Sequence, residues 1–467
     1  MKRLLTLLLS LLMVLTLFGC SKQPANGGNA GGNGGSADAG NTGDAADAPS
    51  QEFPDREQLT FWFWGAATNH QEHMKKVLCD WYNNSQDKYE LSLEFRATVD
   101  ADIPVALAAG QGPDIVYVSG PSYTATFAQE GLVLDLTPYS EQYGWNDRLL
   151  DIAYQACTLD GKLYCLPGGL LVGGLFYNKD VFADEGWSVP ATMDELITTL
   201  DAAKEKGYYP LAAGNKGWKP CNDNFSSMII GSYLPGSYIY NALTGQGSFS
   251  DPAIVDAVQK SADWYQAGYL AGNDYVNLES SEVMQSLCNK KAAMVAAVSQ
   301  YFQWIDPEYA DSIGFTAMPN TYSDHDVYMV ALPCEFAINA NSKAPDECAK
   351  ILDYMMSSEF VMAMNEVWPA YWNIPVKDLA DADASTLTGL SKTCLEVVQK
   401  AIPDVDAGYF TYHPTTFYPS ATDTVFQDID TVWQGVMTAE QFCDTVAVEL
   451  ENDIAKNLVP PLAKPAV

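Results

Sequence analysis

Hydrophobic and polar positions divide the chain into three stretches. Leu4 to Phe18 carries no charge and is dominated by apolar residues, with Lys2 and Arg3 just before it. At about 15 residues the run is shorter than the ~20 needed to cross a bilayer core. It therefore reads as the apolar region of a signal peptide. Residues 21–50 contain no Val, Ile, Leu or aromatic residue and are dominated by Gly, Asn, Ala and Asp. Such a segment cannot bury enough apolar surface to offset its chain entropy and is predicted to stay disordered. As a Gly-rich coil of ~30 residues it would span roughly 30 Å.

Regular apolar periodicity begins after Phe53. Leu59 to Trp64 reads as a buried strand, followed by a helical pattern through Tyr82. Leu91 to Phe95 alternates as a second strand, and Ile115 to Val118 follows Gly112-Pro113-Asp114 as a third. Alternating strands and helices predict βαβ units and a largely parallel sheet. Ligands of such sheets sit beyond the carboxyl ends of the strands, which places Trp64, Asn69, Ser119 and Ser122 in the site region. Further along, Asp160-Gly161 is a two-residue hairpin signal, because Gly tolerates positive φ. Thr192 and Glu195 form a capping box that opens a helix carrying Leu196, Ile197 and Leu200. Val425, Phe426, Ile429, Val432, Trp433 and Val436 recur at helical spacing and predict an apolar stripe packed on the body.

Composition narrows the partners. The chain has 467 residues, with 25 Lys and Arg against 59 Asp and Glu, a net charge of -34. A field of that sign repels phosphate backbones, so nucleic acid is excluded as a natural partner; neutral or cationic solutes remain. The 11 Trp and 26 Tyr supply flat apolar faces with polar edges, suited to the C–H faces of sugar rings as well as to core packing. Of ten Cys, nine lie after Cys20 without a CxxC, and the four His form no ligand-spaced cluster with them. Most of these Cys read as small buried apolar residues. Cys157 and Cys165 flank the predicted turn but are offset by one from an opposed pair. No metal and no cofactor is expected.

Several motifs carry a resemblance. Leu17-Phe18-Gly19-Cys20 resembles the lipobox of bacterial lipoproteins, which implies cleavage before Cys20, its acylation, and a body tethered to the outer face of the cytoplasmic membrane. Gly112-Pro113-Asp114-Ile115 with Gly131 to Leu136 resembles the first lobe of family 1, carbohydrate-type extracellular solute-binding proteins of ABC importers, relatives of maltose-binding protein. Asp160 to Pro167, Tyr177-Asn178-Lys179-Asp180, the run from Gly186 through Asp194-Glu195-Leu196, Lys291 to Met294, Ala317-Met318-Pro319, and Gly435 with Thr438-Ala439-Glu440 match that family in order and spacing.

The resemblance implies an α/β fold of the periplasmic-binding-protein type II kind, two lobes that close like a Venus flytrap on a solute. Crossings between lobes are expected near Leu171–Gly174, Ile313–Met318 and Glu366–Trp372. After a signal peptide (1–20) and a linker (21–52), lobe 1 would comprise 53–170 and 318–367, and lobe 2 171–317 and 368–467. Candidate ligand contacts are Trp64, Asn69, Ser119, Ser122, Tyr123, Asp223, Asn224, Gln300, Tyr301, Trp304, Trp368, Tyr371 and Trp372. The implied role is that of a monomeric, lipid-anchored receptor passing a carbohydrate, an oligosaccharide by preference, to the permease subunits of an ABC transporter. A cationic or peptide-like solute is the second reading, favoured by the charge. A secreted carbohydrate-active enzyme is the third; it would need two carboxylates flanking a scissile bond, and no GxSxG, HExxH or P-loop motif is present. Asp324-His325-Asp326 is the one tight acid–His cluster and reads as a solvated loop.

Overall fold

The computed structural model describes residues 55–467 apart from residue 271. Cys20, the signal peptide and the linker 21–52 lie outside the described residues. No helix among those described is long and apolar enough to cross a membrane.

Two sheets organise the body. The first has the order Tyr89–Arg96, Glu57–Trp64, Ile115–Val118, Glu335–Ile338, Leu166–Pro167. Its first three strands are parallel and the last two antiparallel to their neighbours. The second has the order Phe410–Tyr412, Tyr328–Ala331, Leu171–Asn178, Ala292–Val298, Tyr209–Ala212, with Ile313–Thr316 also paired to Leu171–Asn178. The parallel βαβ expectation thus holds where the sequence carried it, in the opening strands. The second sheet is mixed, because Leu171–Asn178 runs antiparallel to each of its three partners.

Local rules account for individual elements. Along Glu57–Trp64, Leu59, Phe61 and Phe63 are buried while Trp62 and Trp64 face the other side, half-buried. The Arg96 guanidinium lies 3.4 Å over the Trp62 ring, a cation–π contact that covers this second face. The predicted helix through Tyr82 runs from Thr68 to Asn83 as three contiguous segments. Thr158–Leu159 and Lys162–Leu163 pair around Asp160 (φ 50) and Gly161 (φ 75), the two positive-φ positions of the expected hairpin turn. Thr192 and Glu195 make the capping box of helix Met193–Lys206.

Three expectations change. The stripe from Val425 to Val436 is split between helices Ser420–Phe426 and Asp430–Trp433, and Val436 is 70% exposed beyond Gly435 (φ 71), so the packed face ends at Trp433. The second passage between sheets also lies later than Ile313–Met318. Tyr328–Ala331 still belongs to the second sheet and Glu335–Ile338 to the first, so the chain crosses at 332–334. The segment 368–376, assigned by pattern to lobe 2, stays with the first sheet: Asn373 and Pro375 carbonyls accept from Leu170 and Leu150, and Val376 bridges Leu149. Long-range pairing, which no local spacing reports, decides the last two.

Candidate functional site

A cavity of about 570 Å³ opens between the carboxyl ends of the first sheet and the face of the second. From the first side come Trp64 and Gly65, Ala97 and Asp100, Tyr117 and Ser119, each following one of the three parallel strands or ending it, together with Tyr371. Leu171, Val298, Gln300 and Ala331 come from the second, with Trp218 and the segment His413, Thr415 and Thr416 that follows Phe410–Tyr412. Pro333 lines it from the crossing itself.

The aromatic wall is held by hydrogen bonds and ring contacts. Trp64 donates through Nε1–H to Tyr371 Oη at 2.9 Å, and the Tyr371 ring stacks on Trp368 at 5.0 Å and 20°. Burial raises the Tyr117 and Tyr371 phenols above their ordinary range, so both stay neutral donors and acceptors. Ser119 donates to Asp100, the one carboxylate that the described residues place on the lining. Among the described residues, no Lys or Arg contributes to the lining. His413 is held neutral, its pKa lowered to about 3 by burial.

Beneath His413 and Thr415 lies a polar layer on helix Pro220–Tyr233. His413 Nε2 is 3.0 Å from Asn224 Oδ1, and Thr415 donates to Asp223 Oδ2 at 2.8 Å. Gln427 donates to Asp223 Oδ2 and to Asp423 Oδ2 at 3.1 and 3.4 Å. Desolvation, then the Asp423 charge, raises the Asp223 pKa well above the carboxylate range; burial raises Asp423 to about 7. Asp223 Oδ1, Asn224 Nδ2 and His413 Nδ1 are buried without a protein partner, a cost that proteins seldom carry away from functional sites.

Of the residues proposed from sequence, Trp64, Ser119, Gln300 and Tyr371 line the cavity. Asp223 and Asn224 sit one layer below, at 0% and 1% exposure. Tyr301 is buried against Ser280 and Trp304, and Trp304 packs there half-buried. Trp368 and Trp372 are core: Trp368 stacks on His70 at 4.4 Å and Trp372 on Phe63 at 5.4 Å, neither reaching the lining. Asn69 and Tyr123 are exposed on helices and are not among the lining residues. Ser122 lies in helix Pro121–Gln129. Asp324-His325-Asp326 is on the surface, with His325 stacked on Tyr409 and Asp326 paired to Lys400.

Ala97 and Asp100 were within reach of the strand-end rule, since they follow the recognised second strand. Trp218 had a weaker signal. It is 42% exposed, presented between Gly217 (φ 99) and Lys219 (φ 56). His413 to Thr416 had none, because the third pass of the chain brings them in.

Gly169 sets the position of Tyr371. A Cβ there would lie 2.5 Å from the Tyr371 carbonyl oxygen and 3.2 Å from Pro333 Cγ. Gly169→Ala is expected to cost about 1–3 kcal/mol by overpacking and to shift the aromatic wall; a denaturation midpoint beside a binding isotherm would read both.

A two-lobed α/β body with a cleft at its strand ends defines a solute-binding protein of the hinged class. The family description for bacterial extracellular solute-binding proteins matches residues 95–362. The chain belongs to that family. It is 27% identical over 242 residues to the multiple sugar-binding protein of Streptococcus mutans, covering 50% of this chain and 56% of that one. It is 30% identical over 134 residues to a probable sugar-binding periplasmic protein of Mesorhizobium japonicum, 28% and 31% of the two chains. The chain thus spans from 31% to 61% of the length of these and other curated relatives it matches. Among solved structures, a chitin oligosaccharide binding protein superposes with a TM-score of 0.68 at 19% identity, over 85% of this chain and 100% of that one. The sugar-binding protein MalE of Xanthomonas citri does so at 0.69 and 15% identity, over 86% and 98%. Each of these relatives is named for sugar or oligosaccharide binding.

Proposed function

We propose that the protein is a receptor that captures a carbohydrate, by preference an oligosaccharide, between its lobes and delivers it to an ABC importer. The observation that carries this reading is the pairing of an aromatic wall (Trp64, Tyr117, Tyr371, with Trp218 opposite) with mostly neutral hydrogen-bonding groups and, among the described residues, no Lys or Arg. Sugar rings offer apolar C–H faces to the first and hydroxyls to the second. Relatives whose names state sugar binding support the same reading. Capture needs only differential affinity: a ligand touching both walls favours the closed arrangement over one in which it touches a single wall.

The lipobox at Cys20 supports tethering of the body at the membrane, with residues 21–52 as slack between lipid and lobes. Intact mass of the mature chain tests this, since a diacylglycerol on Cys20 adds a defined increment. The -34 charge and Asp100 keep a cationic solute as the second reading.

Thermal unfolding with a panel of neutral saccharides, polyamines and short peptides separates the two. A saccharide at about 100 times its Kd is expected to stabilise the protein by about 2.7 kcal/mol. A shift with polyamines or peptides and none with any sugar would overturn the carbohydrate assignment, and release of reducing ends would make the protein an enzyme.

A further inference from the structure

Cys157, Cys165 and Glu335 meet in the first lobe, apart from the cleft lining. Cys157 caps helix Asp151–Ala156, Cys165 follows the Asp160-Gly161 hairpin, and Glu335 opens strand Glu335–Ile338. One donor atom from each lies within 4.8 Å of the other two, and all three residues are 0% exposed. Cys165 Sγ is 3.1 Å from Glu335 Oε2 and Cys157 Sγ 3.6 Å from Oε1, while the Thr124 hydroxyl donates to Oε2. The carboxyl's partners are thus a hydroxyl and two thiols, with no Lys, Arg or His among them.

We propose that this cluster is a site for one thiophilic divalent cation of the Zn²⁺ kind. Two thiolates and one carboxylate are the donor types that borderline-soft ions take in tetrahedral sites, and the Thr124 oxygen is at hand for the fourth position. Binding replaces two S–H bonds by two metal–sulfur bonds and releases two protons, with a third wherever burial has kept the Glu335 carboxyl protonated. The cluster then carries one net negative charge, the same as an ionised carboxylate beside two thiols, so no further charge is buried. Sequence spacing concealed the set, because the hairpin aligns the two Cys and a strand 170 residues beyond Cys165 supplies the carboxylate.

The site's place in the fold gives it a consequence. Glu335 follows the crossing 332–334 directly and pairs with Pro167, while Gly168 N–H donates to the Cys334 carbonyl. An ion here would tie the two passing segments at their first-lobe ends and stiffen the hinge beside Pro333, a wall of the cleft.

The test uses the full chain purified under reducing conditions, titrated with Cd²⁺ and separately with Zn²⁺. One ion per chain, an ultraviolet thiolate-to-Cd²⁺ band, release of about two to three protons and a raised unfolding temperature are expected. Cys157→Ser, Cys165→Ser and Glu335→Gln should each weaken uptake at least about tenfold. Cys394→Ser, buried beside Asn373, should leave it intact. Should the Cys157 and Cys165 variants misfold, the stoichiometry, proton count and Cd²⁺ band of the unmodified chain still decide. Sub-stoichiometric uptake by folded protein, equal loss in Cys394→Ser, or a Cys157–Cys165 disulfide in the natively secreted chain would overturn the proposal.

Discussion

At pH 7, Asp423→Asn is expected to stabilise the protein by about 3–4 kcal/mol, and at pH 4 to change it little. Burial raises Asp423 to about 7, and Asp223 rises in the same direction from burial and from the Asp423 charge. A carboxyl whose folded pKa exceeds its unfolded value keeps its proton while the unfolded chain releases one. Stability is therefore full below an unfolded pKa of ~4 and is lost as pH climbs to about 7. His413 works in the opposite sense. Held neutral with a pKa of about 3, it loses stability for the fold as pH falls below its unfolded value of ~6.5. Between ~pH 4 and ~6.5 the raised acids Asp423, Asp223 and Glu335 give stability a falling slope, which the imidazole opposes. Asn at 423 removes one acid, flattens that slope, and offers an amide N–H to a layer where Asp223 Oδ1 has no partner. Urea unfolding of both proteins at pH 4, 5.5 and 7 checks this; a variant less stable at every pH, or an unchanged slope, would reject the acid pair as the cause.

Trp372→Ala is expected to cost about 3–5 kcal/mol, whereas Trp64→Ala costs less stability but removes at least tenfold in ligand affinity. Trp372 is 0% exposed, stacked on Phe63 at 5.4 Å and 22° and meeting Phe360 edge-on at 5.4 Å. Removing it leaves a void in the first-lobe core that its neighbours cannot collapse to fill. Trp64 is half-buried on the opposite face of its strand from Phe63, with one edge on Tyr371 and the other side facing the cleft. Its loss opens to solvent rather than into the core. Unfolding midpoints and saccharide isotherms for the two variants separate the roles. Equal losses of stability would place Trp64 in the core as well, and unaltered affinity in Trp64→Ala would remove it from the site.

That contrast marks the reach of local pattern. The continuous apolar run Leu59 to Trp64 placed Trp64 at a strand end, and the strand-end rule brought Trp64, Ser119 and, in principle, Asp100 to the cleft. The cluster Trp368, Tyr371 and Trp372 offered no such signal. Their composition suits a sugar platform and a core equally well, and only Tyr371 reaches the cavity.

Strand identity, the Asp160-Gly161 turn, the Thr192 capping box and the two-lobed class were legible because each rests on interactions within a few residues or on motif order along the chain. The crossing at 332–334, the antiparallel setting of Leu171–Asn178, the arrival of His413 and Thr415 at the cleft, and the meeting of Cys157, Cys165 and Glu335 were not. Each joins segments tens to hundreds of residues apart, and which segments pair is settled by how two sheets bury their faces together. One sequence read residue by residue does not carry that information.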